Sequence, residues 1–266
     1  MAIQGVGFAI LSVFTFLSAS GVAQEVDVDG LILASEKAAY YAGDDSRSDA
    51  RMIIVDGQGR KQMRQFTILR KDVEDNGDQK MMVFFSRPAD VRDTVFRVEK
   101  HVELDQDDDR WLYLPALDLV KRISAGDKRT SFVGSHFFYE DVSGRAVSED
   151  TFSLQKETET RYILKAEAKD THSVEFAYYV VEIDKQNNLP VLINFYDKNH
   201  TNYRRVEAVS VDTIEGYPTV TRSKVTDLTS GGYTLMEFRN MTYNLGLNEG
   251  VFSERSLRTP PVQWLK

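Results

Sequence analysis

The sequence predicts a mainly β protein: one large antiparallel sheet curled into an incomplete barrel, with a helix before it and a helical or loop lid in its middle. Three observations predict this. From residue 51 onward, apolar residues alternate with period two through about a dozen short segments separated by turn signals. A single stretch of helical spacing precedes them. One long segment, residues 116–141, interrupts the alternation halfway along the chain. A sheet with that many strands must curl, and closing it on itself removes exposed edges.

The helix is expected over 29–42. Asp27 or Asp29 can cap it, and Leu31, Ala34, Ala38 and Tyr41 share one face. Gly43 is placed to end it, and 44–49 reads as a polar connection. Strands are expected at 51–56, 61–71, 79–86, 94–104 and 109–114, with turns at Gly57-Gln58-Gly59, Asn76-Gly77 and Arg87-Pro88. The segment 94–104 alternates most cleanly: Phe96, Val98, Val102 and Leu104 oppose Arg97, Glu99, His101 and Glu103. Residues 81–85 are apolar on both faces, which implies a strand that is central or covered outside by the helix. In 109–114, Trp111 and Tyr113 oppose Leu112 and Leu114, and Pro115 removes a ladder donor and ends the strand. Further strands are expected at 151–155, 160–166, 173–183, 190–196, 203–211, 217–228 and 233–243. The tail, 245–257, is expected to fold Phe252 back onto the sheet. A barrel this wide is not filled by side chains alone, so an apolar binding cavity is expected inside. Its wall is assigned to Phe66, Ile68, Phe84, Phe96, Val98 and Trp111.

The interrupting segment mixes Lys121, Arg122, Lys128 and Arg129 with Leu117, Leu119, Val120 and Ile123, and then delivers Phe132, Phe137, Phe138 and Tyr139. Connections this long without regular structure are usually lids or binding loops. The same aromatics would serve equally as a fixed cap on a barrel end. As a lid, Phe132, Phe137, Phe138 and Tyr139 would cover the cavity mouth. Lys121, Arg122, Lys128 and Arg129 would face solvent, available to phosphate head groups or an acidic partner.

The 266 residues suit one large β domain, assigned to 24–266. A formal net charge of −8 argues against sequence-independent nucleic-acid binding. The chain has no cysteine, which excludes disulfides and thiolate chemistry. Residues 8–17 are almost wholly apolar and are followed by small residues up to Ala23. This reads as a secretory signal peptide, residues 1–23, rather than a membrane span, although no Lys or Arg precedes the apolar run. The mature chain is expected to start at Gln24 and to be exported.

Catalytic patterns are missing. His101, His136, His172 and His200 fall in no metal-ligand spacing, and His101 is read as a solvated residue on a polar strand face. Gly134-Ser135-His136 lacks the GxSxG frame. Residues 105–109, with four aspartates, lack the mid-loop glycine and closing glutamate of a calcium loop and read as a solvated turn. The pairs Glu140/Asp141 and Glu149/Asp150 are likewise read as solvated. No catalytic residue, metal or cofactor is assigned, and the reading is of a binding protein rather than an enzyme.

Four pieces in order carry a resemblance: Trp111-Leu112-Tyr113-Leu114-Pro115-Ala116, Lys121-Arg122-Ile123-Ser124, Ser131-Phe132-Val133-Gly134-Ser135 and Tyr139-Glu140-Asp141. Together the sequence resembles the LolA-like family of outer membrane lipoprotein-sorting proteins over nearly all of the chain after the signal peptide. The resemblance implies an incomplete antiparallel barrel with the lid in 116–141 over an apolar cavity. It implies a periplasmic carrier of lipid or lipoprotein acyl chains in a Gram-negative bacterium. The partners so implied are an inner-membrane transporter of RND/MMPL or ABC type and an outer-membrane acceptor. An arginine early in the sheet of the best-known relatives couples lid to barrel, and Arg64 is the nearest counterpart, grouped with the head-group contacts. A lipid-sensing interaction protein of envelope-stress signalling on the same fold is the alternative.

Overall fold

The computed structural model describes residue 1 and residues 26–74, 77–103 and 106–266. The signal peptide after its first residue, the cleavage point after Ala23, the mature start at Gln24, and Asn76, Leu104 and Asp105 lie outside the described residues.

Helix α1, Val28–Tyr40, begins where the Asp27 carboxylate accepts from the Gly30 amide at 3.0 Å. Gly43, with φ 70°, turns the chain into the sheet in a conformation that other residues adopt at a cost. Six strands follow in meander: β1 Asp45–Val55, β2 Lys61–Asp72, β3 Gln79–Arg87, β4 Val95–Lys100, β5 Asp109–Leu114 and β6 Leu119–Ile123. Residues 124–149 then cross the molecule and carry the short helix α2, Tyr139–Ser143. A second meander completes the chain: β7 Asp150–Glu157, β8 Arg161–Ala168, β9 Tyr178–Asp184, β10 Pro190–Tyr196, β11 Asn202–Ile214, β12 Tyr217–Asp227 and β13 Tyr233–Tyr243.

All thirteen strands form one sheet in the order β6-β5-β4-β3-β2-β1-β13-β12-β11-β10-β9-β8-β7. The meanders join where β1 pairs antiparallel with β13, from Ser46↔Tyr243 to Val55↔Tyr233. The two edges are β6 and β7, so the barrel is incomplete, and the crossing segment connects one free edge to the other.

Several boundaries differ from the sequence reading: β4 ends at Lys100 rather than at residue 104, β9 begins at Tyr178 rather than at residue 173, and two further differences move whole segments into the sheet. Residues 45–50 are strand, because their polar groups find partners: the Asp45 carboxylate accepts from the Leu245 and Leu247 amides, each at 2.6 Å, and Asp49 accepts from the Thr67 hydroxyl at 3.1 Å. Residues 119–123 are strand as well. A 3-10 turn at Pro115–Leu117, with Asp118 left-handed at φ 45°, folds them back on β5, so the crossing segment starts at Ser124 rather than Ala116.

Three apolar clusters hold the sheet. On its concave face, Met52, Phe66, Met81, Val83, Phe85, Phe96, Val98 and Leu112 pack with Phe132, Phe137 and Tyr139 of the crossing segment. At the far end, α1 sets Ile32 against Leu164, Ala166, Ile183 and Phe195. On the convex face, Leu69, Met82, Phe84 and Val95 are covered by Leu247, Val251, Phe252 and Leu257 of the tail. Phe252 therefore does fold back onto the sheet, and β3 is apolar on both faces because the tail covers its outer side. Fully burying one such side chain is worth about 1.5–3 kcal/mol.

Candidate functional site

The crossing segment owes its shape to a tight hairpin. Ser131 bridges Phe138, the Phe132 amide donates to the Phe137 carbonyl at 2.7 Å, and Val133 and Gly134 turn the tip with positive φ. Phe138 caps α2 at its backbone: its amide donates to the Asp141 carboxylate at 2.6 Å. The hairpin presses Phe132, fully buried, into the β2–β5 half of the bowl, with ring centroids 5.8 Å from Phe85 and 5.5 Å from both Phe96 and Tyr139. At its tip, the His136 amide donates to the Thr234 hydroxyl on β13 at 3.0 Å.

The other half of the bowl keeps a cavity of about 270 Å³. Ala38 and Tyr40 of α1 roof it, Phe137 and Val142 close one side, and Ile68, Ile193, Val206, Met236 and Phe238 line the sheet side. A separate hollow of about 630 Å³ lies on the convex side, where Arg51, Glu237, Arg239 and Asn240 face Pro260 and Val262 of the tail.

An ionic network anchors the crossing segment from beneath. Glu140, only 2% exposed, meets Arg129, Arg145 at 3.0 Å and Lys128 at 3.5 Å. The cations reach outward in turn: Lys128 to Glu149 at 2.8 Å, Arg145 to Asp150 at 2.7 Å and Arg129 to Glu175 at 2.6 Å. Asp141 is paired with Arg204 on β11. Burial alone would push the Glu140 carboxyl up, but Arg129, Arg145 and Lys128 outweigh it and hold the group below its ordinary value. Among the described residues no group of His, Asp or Glu is arranged to hold a metal ion, and no helix is long and apolar enough to cross a membrane.

A family model described only as that of an uncharacterized protein matches residues 77–259. A DUF1329 family protein from Desulfovibrio piger is 31% identical and superposes with a TM-score of 0.78, over 86% of this chain and 98% of that one. The chain belongs to the DUF1329 family. A domain from Vibrio parahaemolyticus, assigned as an outer membrane lipoprotein-sorting protein, is 28% identical with a TM-score of 0.77, over 86% of this chain and 97% of that one. A LolA superfamily protein from Nitrosomonas europaea, 16% identical over 87% of this chain and 99% of its own, shares the fold with a TM-score of 0.66. This DUF1329 protein thus has the LolA-like fold. No curated protein matches it.

The structure redistributes the residues assigned from sequence. Of the six wall residues, only Ile68 lines the concave cavity. Phe66, Phe96 and Val98 are on the concave face as expected, but in the half that the crossing segment fills. Phe84 and Trp111 are corrections, since both belong to the convex face. Phe84 lies under the tail, and Trp111 stacks beneath the Arg97 guanidinium at 4.4 Å, while Leu112 takes the concave position. Phe132, Phe137 and Tyr139 are buried, but only Phe137 borders the cavity, while Phe132 and Tyr139 pack in the filled half of the bowl. Phe138 sits between the guanidinium groups of Arg129 at 5.2 Å and Arg204 at 4.2 Å.

Lys121 and Arg122 are exposed on edge strand β6, with Arg122 paired to Asp109. Lys128 and Arg129 do not face solvent, because Glu140 draws them inward. Arg64 is 8% exposed on the concave side of β2. Its partners are the Met63 carbonyl at 3.1 Å, Gln62 at 3.0 Å and Asp90 at 3.6 Å, none of them in the crossing segment.

His101, residues 107–109 of the stretch 105–109 and the pairs Glu140/Asp141 and Glu149/Asp150, all read as solvated, are structural instead: the two pairs hold Arg129, Arg145 and Arg204. Asp108 is buried against Arg110 at 2.6 Å, and His101 bonds Asp78 at 2.9 Å just past the end of β4. Sequence reasoning also missed Glu140, Arg204 and Arg70 as interior groups. For Glu140 a signal existed: Lys128, Arg129 and Arg145 flank it within one short connection.

Proposed function

We propose that this DUF1329 protein is a periplasmic carrier that takes a lipid or lipoprotein acyl chain into the concave cavity, with residues 124–149 acting as its lid. The observation that carries the reading is the mostly apolar cavity of about 270 Å³ bordered by sheet, α1 and the crossing segment. Its volume falls just short of the roughly 300–1,000 Å³ typical of ligand sites, so a full acyl chain requires the aromatic hairpin to withdraw from the bowl. Each methylene buried there is worth about 0.8 kcal/mol, enough for affinity without any catalytic group. Because the hairpin competes with cargo for the same bowl, closure also drives release. The likeness to the sorting-protein domain from Vibrio supports the same class of cargo. Transfer between an inner-membrane transporter and an outer-membrane acceptor is the role proposed for it, and export through the segment up to Ala23 is its route.

The test is a lock. His136 and Thr234 are in side-chain contact at 2.8 Å, and the chain has no cysteine of its own to interfere. In the double variant His136→Cys/Thr234→Cys, oxidation should abolish uptake of a fluorescent fatty acid and reduction should restore it. Equal uptake by the oxidised and reduced forms would show that the segment is a fixed cap.

A further inference from the structure

The cavity contains one charged group that the acyl-chain reading does not use. Arg70 lies on the concave side of β2, two residues beyond Ile68, and lines the cavity. Its contacts are weak: Nη1 lies 3.5 Å from the Tyr40 carbonyl and Nη2 lies 3.7 Å from the Met81 sulfur. Its Nε is buried without any hydrogen-bond partner. Asp72, on the same strand, acts on its charge, but Asp72 also accepts from the Gln79 side-chain amide at 2.6 Å.

Other arginines of this chain show what those donors ordinarily hold. Arg129 grips Glu175 through Nε and Nη2 at 2.6 and 2.7 Å, and Arg145 grips Asp150 through the same two atoms at 2.8 and 2.7 Å. This side-on fork matches two carboxylate or phosphate oxygens. Arg70 lines the cavity with no such partner: its Nε is unbonded and its Nη2 meets only the Met81 sulfur. Burial pushes its guanidinium below the usual arginine value, outweighing the opposing effects of Tyr40, Asp72 and Tyr243.

The acidic residues that border the cavity are not available to it. Asp141 is engaged by Arg204 and by the Phe138 amide. Glu207 follows Val206 on β11, so its side chain alternates to the opposite face. Tyr40, pushed by burial up to about 12, stays neutral near physiological pH and adds no competing anion.

We infer that the cavity takes a single-chain anionic amphiphile head-first, with its carboxylate or phosphate on the guanidinium of Arg70 and its alkyl chain along Ile68, Val206, Met236 and Phe238. The inference rests on the carrier reading and narrows it. A neutral acyl chain of a lipoprotein would place its head outside and leave the Arg70 Nε without a hydrogen-bond partner. A head-in anion supplies one and fixes both the polarity and the orientation of the cargo.

The test measures binding of laurate, dodecyl phosphate and dodecanol to the delipidated full chain by displacement of a neutral fluorescent probe. Wild type should bind one or both anions about 10- to 100-fold more tightly than dodecanol, the range expected for a buried charge-assisted hydrogen bond. The better of the two names the head group. Arg70→Gln should reduce that preference to under about threefold, with Arg70→Lys intermediate. In wild type, laurate should also shift the Arg70 Nε–H resonance, a readout that does not depend on any variant folding. Equal affinity for all three compounds, or a preference that persists in Arg70→Gln, would overturn the head-in assignment and leave the carrier reading intact. Failure of all three to bind would overturn both.

Discussion

Glu140→Gln should loosen the lid, and its effect on binding separates a lid from a prop. The substitution keeps the shape of the side chain and removes the charge that faces Arg129, Arg145 and Lys128 at a site only 2% exposed. Breaking a buried ion pair from one side costs about 3–5 kcal/mol. The lower figure applies here, because Glu149, Asp150 and Glu175 still compensate the three cations. If that loss of about 3 kcal/mol falls on the closed position of residues 124–149, the open population rises by about two decades. The apparent Kd for a fluorescent fatty acid then falls about 10- to 100-fold, because the closed state no longer withholds the site. The melting temperature should move little. If the same loss fell on global unfolding, Tm would drop by about 6–12 °C in a domain of this size. Fluorescence titration and calorimetry on one preparation decide the matter. A large drop in Tm with unchanged or weaker binding would refute the lid.

Phe132→Ala removes a fully buried ring from the junction with Phe66, Phe85 and Phe96, a change worth about 3–5 kcal/mol. Amide exchange should accelerate over 128–143 while β1–β3 stay protected; uniform acceleration would place the ring in the folding core rather than in a docked lid. His101 gives a pH effect. Burial alone would lower its pKa, but its hydrogen bond to Asp78 and the Asp109 carboxylate 3.6 Å away prevail and raise it above the ordinary histidine value. That contribution to stability is therefore present below about pH 6.5 and is lost as pH rises through the folded-state value. His101→Gln should flatten the stability profile between pH 6 and 8, and a profile unchanged by the substitution would contradict the pairing.

The strands were legible because a sheet with one buried face writes its register as alternation: β10 and β13 are found where the pattern places them, and in β4 Phe96 and Val98 share the concave face. The start of β1 was not legible. Ser46, Ser48 and Asp49 look like a linker until the strands beside them supply their partners. Period two also cannot say which of two apolar faces is the concave one. Phe84 and Trp111 were assigned inward, and only the tail and Arg97 reveal that they are covered from outside. The candidate site was harder still. Charged residues in a loop and an arginine in a strand are ordinarily solvated, so nothing local marks Glu140 or Arg70. They become interior groups because residues 124–149 fold into the bowl and α1 roofs what remains.

Native mass spectrometry of the protein purified from its own cell envelope, without detergent or delipidation, tests the central claim most directly. The account predicts a population heavier than the bare chain by the mass of one lipid, released on activation and absent from the oxidised His136→Cys/Thr234→Cys protein loaded after locking. A single species at the mass of the bare chain, unchanged after incubation with fatty acids or phospholipids, would contradict it.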